Sequence, residues 1–140
     1  MDENQLTERV IGAAMEVHRA LGPGLLESTY ELCLCRELSL RGIAFERQKP
    51  IPVEYKSVLL DCGYRADLVI DNRVLIELKA VETLLPIYDA KLVTYLKLGE
   101  WNVGLIINFN VQLLKQGVRR RVLNAKKKLF HDSASSAVIS

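Results

Sequence analysis

Asp67, Glu77 and Lys79 are the residues of this 140-residue chain whose types and spacing could do chemistry together. Side chains alternate between the two faces of an extended strand, so Arg65, Asp67 and Val69 share one face of a strand predicted over residues 64–70. Leu75, Glu77 and Lys79 likewise share one face of a second strand, over residues 74–80. Between them, Asp71-Asn72-Arg73 reads as the tight polar turn of a hairpin. With those three residues unpaired, Ile70 faces Val74 and Asp67 stands opposite Glu77. Directly opposed carboxylates weaken a sheet unless a nearby cation such as Lys79 or Arg65, a proton, or a metal ion offsets them. A hard divalent cation, Mg²⁺ or Mn²⁺, prefers oxygen ligands and keeps several waters. Two carboxylates and a backbone carbonyl would therefore suffice to seat it.

Such an ion lowers the pKa of a bound water and stabilises charge on a phosphate, while a lysine ammonium orients the nucleophile or neutralises the developing charge. The chemistry implied is phosphodiester hydrolysis. Glu27, on a helix above the sheet edge, is placed to hold a water or a second ion. Alternating charges in a half-exposed antiparallel hairpin also describe ordinary solvated residues, so the spacing alone leaves both readings open.

The elements that must position these residues follow from periodicity. Leu6, Val10, Ala14, Val17 and Leu21 recur at helical steps until Gly22-Pro23-Gly24 stops them, predicting a helix over residues 4–21. A second helix is predicted over residues 26–41, with Tyr30, Leu34 and Leu38 on one stripe and Gly42 at a left-handed C-cap. β-Branched and aromatic residues interrupted by Pro50 and Pro52 suggest edge or bulged strands as far as Tyr55, and another near residues 58–61. A third helix is expected over residues 86–98, stopping at Gly99. Residues 102–109, NVGLIINF, read as a strand covered on both faces, and the intervening helix permits a crossover to a parallel neighbour. The order helix, strands, helix, strand makes the expected fold a mixed α/β sheet flanked by helices.

Length and composition suit one globular domain over residues 1–130, with residues 131–140 a small, polar, mobile tail. The chain has no apolar run near the roughly 18 residues of a membrane span and opens on Asp2, Glu3 and Asn4 without a leader pattern, so a cytoplasmic protein with no membrane association is expected. An odd count of three cysteines fits a reducing compartment, and Cys33, Cys35 and Cys62 lack the paired spacing of a zinc site; core packing is their expected role. Lys115, Arg119, Arg120, Arg121, Lys126, Lys127 and Lys128 occur with no acid between them, which suits either a solvated amphipathic segment or a phosphate-contacting surface. His18 has no nucleophile partner by spacing and is expected on a partly exposed helix side, while Trp101 reads as a packing anchor.

Gly24-Leu25-Leu26-Glu27-Ser28-Thr29-Tyr30 resembles the G-x-x-E-x-x-Y signature of the bacterial GxxExxY proteins, a branch of the PD-(D/E)XK, restriction-endonuclease-like nuclease superfamily. Tyr64-Arg65-Ala66-Asp67-Leu68 and Ile76-Glu77-Leu78-Lys79-Ala80 resemble its two catalytic-type motifs, and Tyr95-Leu96-Lys97-Leu98-Gly99 its following helix. The resemblance runs from about Leu6 to Leu123. It implies that Asp67 and Glu77 bind the metal, that Lys79 is the active-site lysine and Glu27 the helix-borne glutamate, and that the substrate is nucleic acid, with DNA favoured. Tyr30, Lys91 and Tyr95 are then expected on the substrate side. Two positions depart from the pattern: Ala66 stands in place of proline, and Lys91 in place of a glutamine. A module that binds nucleic acid or a partner on this scaffold without turnover is the competing function, and a homodimer is a third.

Overall fold

The computed structural model describes residues 1–123, so Lys126, Lys127, Lys128, His131 and the expected tail at 131–140 lie outside the described residues. Helix α1 (Glu3–Leu21) starts where Asp2 and Gln5 each satisfy the other's backbone N–H, a capping box. Its stripe of Leu6, Val10, Ala13, Ala14 and Val17 is buried, and it ends at Gly22. Helix α2 (Glu27–Leu40) buries Tyr30, Leu34 and Leu38 and is followed by Gly42 in the left-handed conformation expected of it.

Strand β1 (Phe45–Pro50) leads into a separate two-stranded sheet of β2 (Val53–Tyr55) and β3 (Val58–Leu60), turned through Lys56 and Ser57. Strands β4 (Arg65–Ile70) and β5 (Val74–Lys79) form the expected hairpin with Ile70 opposite Val74. Asp71 and Asn72 both adopt positive φ at its turn, a conformation these two residue types tolerate better than most. Helix α3 (Pro86–Gly99) then crosses over to β6 (Val103–Asn108), which lies parallel to β5 and is buried along its whole length. A 3-10 turn (Leu114–Gly117) precedes β7 (Val118–Val122), antiparallel to β6.

The main sheet thus runs β1-β4-β5-β6-β7, mostly antiparallel, between two helical layers. Helices α1 and α2 cover the face that carries Leu68, Ile70, Val74, Ile76, Leu78, Leu105 and Ile107. Helix α3 covers Val69, Leu75 and Ile106 on the other. Each fully buried aliphatic side chain contributes about 1.5–3 kcal/mol, so these two layers hold the sheet in place. Among the described residues no helix is long and apolar enough to cross a membrane.

Three expectations are corrected. The segment from Val111, read as an amphipathic stretch, enters a 3-10 turn and then an arginine-rich strand, because backbone pairing with β6 overrides its side-chain pattern. Helix α3 ends at Gly99 as expected, with Glu100 taking the left-handed cap conformation and Gly99 needed because a Cβ there would meet the Trp101 ring at 2.1 Å. His18 is buried, its Nε2 2.8 Å from the Val111 carbonyl oxygen. Cys62 is exposed, whereas Cys33 and Cys35 pack against the core as expected.

Candidate active site

The β4–β5 ladder ends at Leu68 opposite Ile76, one residue short of Asp67 and Glu77. Beyond that point the strands separate and a side chain replaces a backbone: Asp67 Oδ2 accepts the Leu78 amide at 2.8 Å. The face alternation of β4 breaks at the same place, since Ala66 packs with the α3 layer and Leu68 with the α1/α2 layer. The widened gap lets Asp67 and Glu77 meet side chain to side chain at the sheet end.

Glu77 is 6% exposed, and its Oε1 is buried without a hydrogen-bond partner. Burial pushes its carboxyl up to about 9, the charge of Asp67 and a hydrogen bond to it add to the rise, and Lys91 and Lys79 oppose it. Glu27, in the first turn of α2, is also raised, first by burial and then by Asp67, with Lys79 and Lys91 pulling the other way. Lys79 rests its Nζ 4.4 Å from the Tyr88 ring centroid, and Lys91 its Nζ 5.2 Å from that of Tyr95. Tyr88, Lys91 and Tyr95 follow one another along one stripe of α3. Two acids from the hairpin, one from α2 and two lysines from β5 and α3 therefore share one locality.

Tyr30 departs from the substrate-side position expected of it. It is fully buried, stacked on Phe109 at 4.5 Å, and its hydroxyl donates to the Gly22 carbonyl at 2.6 Å and accepts from the Leu25 amide at 3.1 Å. It ties the Gly22-Pro23-Gly24 turn to α2 and has no surface left for a ligand. Tyr95 is nearly buried. With Tyr64, Lys91 and Ile87 it lines an open groove of about 480 Å³.

Glu31, Arg47 and Gln48 were not anticipated. Glu31 is buried and accepts from Arg47 Nε at 2.5 Å and Gln48 Nε2 at 2.8 Å. A signal for Glu31 existed: it lies four residues after Glu27 and three before Leu34, on the stripe that α2 buries. Asn108, also missed, bonds both the amide and the carbonyl of Val81, fastening the loop after β5 to the end of β6.

Among the described residues, no group of three or more His, Cys, Asp or Glu side chains is set to hold a metal ion. Carboxylate donors of the hard-cation type are present in Asp67 and Glu77, and Oε1 of Glu77 is buried without a hydrogen-bond partner; the pair fits Mg²⁺ or Mn²⁺ with solvent completing the shell. The basic run is partly spent within the fold. Arg119 donates to Asp89 Oδ2 at 2.7 Å, and Arg121 lies 2.8 Å from Oδ1, an ion-pair distance without hydrogen-bond alignment.

Searches of curated proteins and of solved structures returned no match. A family model described as the PD-(D/E)XK nuclease superfamily matches residues 4–121, which takes in both helices of the first layer, the hairpin acids, α3 and most of β7. Nucleases of that superfamily are generally divalent-metal dependent, and their plan agrees with the five-stranded, helix-flanked sheet. By the extent of that match, this chain belongs to the PD-(D/E)XK nuclease superfamily.

Proposed function

We propose that this protein is a divalent-metal-dependent nuclease that cleaves phosphodiester bonds, with DNA as the favoured substrate, and that it falls in the GxxExxY branch. The observation that carries the reading is the Glu77 carboxyl, buried beside Asp67 with one oxygen unpartnered. An isolated buried acid is costly, and a pair of them is more so. A site of this kind is maintained at the expense of stability, which points to a ligand that compensates it.

In this reading Asp67 and Glu77 hold Mg²⁺ or Mn²⁺, which when bound supplies an activated water and a counter-charge for the phosphate. Lys79, steadied on the Tyr88 ring, orients the attacking water and neutralises charge as the new O–P bond forms and the bond to the leaving oxygen breaks. Glu27 positions water from the α2 side. Lys91, where the superfamily pattern has glutamine, presents a point charge to a phosphate oxygen from α3, and Tyr95 supports it. Residues 1–130 form one nuclease domain acting in the cytoplasm.

The test is cleavage of DNA and RNA by purified protein with Mg²⁺ or Mn²⁺, with Glu77→Ala alongside. Cleavage by the wild type and none by the variant is expected. No cleavage of either polymer under any divalent ion removes the nuclease reading. Salt-sensitive binding indifferent to EDTA and to Asp67→Ala would identify a non-hydrolysing module instead, since phosphate neutralisation by Lys and Arg needs no metal.

A further inference from the structure

Gln48 occupies a backbone conformation that its residue type disfavours. It sits inside β1 at φ +52, although neither a turn nor a glycine requires that value there. For a residue with a Cβ this costs on the order of 1 kcal/mol, and such strain persists only where the surroundings impose it. The consequence is geometric. Consecutive residues in a strand point to opposite faces, yet Arg47 and Gln48 both reach the same carboxylate, that of Glu31 on α2.

Gln48 also stands across from Asp67. The β1–β4 register pairs Arg47 with Leu68 and Lys49 with Ala66, which leaves Gln48 facing Asp67 where β4 breaks its own alternation. Its Nε2 lies 2.8 Å from Glu31 Oε1 and 3.5 Å from Asp67 Oδ1, the second at the outer limit of a hydrogen bond. An amide nitrogen carries two protons, enough for both acceptors. Glu31 is itself fixed by Arg47, so the amide is anchored at one end and aimed at the other.

We propose that Gln48 is a positioning residue for Asp67: anchored on Glu31, its amide sets the Oδ1 oxygen while the Leu78 amide sets Oδ2, so the carboxylate is presented to a cation in one orientation. The proposal rests on the metal-binding reading given above. Partners of this kind, which hold a ligand without touching the ion, typically change metal affinity by about 10- to 100-fold.

The discriminating variant is Gln48→Gly. Glycine accepts positive φ without penalty and removes the amide, so the backbone is relieved while the contact is lost. Mn²⁺ titration by calorimetry and thermal unfolding are measured on wild type and variant. Expected are an unfolding midpoint close to that of the wild type and Mn²⁺ affinity weakened about tenfold or more. Unchanged affinity in Gln48→Gly overturns the proposal while the metal site stands. A loss of affinity matched by a collapse of the unfolding midpoint also overturns it, because a scaffolding role then accounts for both. Failure of the wild type to bind Mn²⁺ overturns the metal reading, and this inference with it.

Discussion

Asp67 takes the place of strand backbone for Leu78, its Oδ2 accepting the amide at 2.8 Å where the ladder between their strands has ended. One carboxylate oxygen thereby does structural work, and in the proposed reading the other is left for the metal ion. Asp67→Ala is expected to remove metal binding and to destabilise the fold by about 1–3 kcal/mol, the cost of a buried amide left unpaired. Asp67→Asn keeps a neutral acceptor for Leu78 and is expected to unfold near the wild type while still losing metal affinity. Urea denaturation and calorimetry on the two variants separate the roles.

Glu77 sets a pH dependence whose sign is fixed. Its folded value of about 9 lies above the ordinary 4.5, so between those limits the folded protein holds a proton that the unfolded chain releases. Stability contributed by this group therefore falls as pH rises through the window, by on the order of 3 kcal/mol at pH 7. Glu77→Gln is expected to be more stable than the metal-free wild type at pH 8 and equal to it near pH 4. Urea unfolding at the two pH values checks this. Because a bound cation must displace the same proton, wild-type metal affinity should rise with pH over that range.

The buried Tyr30 hydroxyl makes two hydrogen bonds to the turn before α2. Tyr30→Phe is expected to cost about 1–3 kcal/mol in chemical denaturation, since the Gly22 carbonyl and Leu25 amide both lose a partner. KM for a DNA substrate should stay at its wild-type value. A rise in KM without loss of stability would restore a role in substrate contact.

Arg119 and Arg121 are engaged with Asp89 across the α3–β7 contact. Neutralising both with glutamine is expected to lower the unfolding midpoint and leave the dependence of DNA affinity on salt concentration unchanged. A slope shallower by about two would show instead that both arginines neutralise phosphates.

Much of the fold was legible because its signals are local. The apolar stripe of α1, the Gly22 and Gly42 stops, the Asp71-Asn72-Arg73 turn and the unbroken apolar run of β6 each state their conformation within a few residues. Turn length put Asp67 across from Glu77, and the two do meet, but past the end of the ladder and where the alternation of β4 has broken, which parity alone does not show. What stayed hidden depends on distant partners. Gln48 has no sequence mark of its positive φ, and β7 is a strand only because β6 offers it an edge. Tyr30 was misplaced because a motif tyrosine looks the same whether its hydroxyl faces a ligand or a carbonyl eight residues back. Glu31 was readable as a charge on an apolar stripe, but its purpose lies with Arg47 and Gln48 on another element.

The hairpin turn also constrains which changes of length the protein can survive. Strand faces repeat every second residue, so inserting or deleting one residue at Asp71-Asn72-Arg73 would slide β5 by one step against β4. The Glu77 carboxyl would then rotate into the oily layer beneath α1 and α2, and Ile76, after an insertion, or Leu78, after a deletion, would take its place beside Asp67. Such an indel leaves Asp67, Glu77, Lys79 and Glu27 in the chain, yet it would disrupt their proposed grouping more thoroughly than most point changes within it.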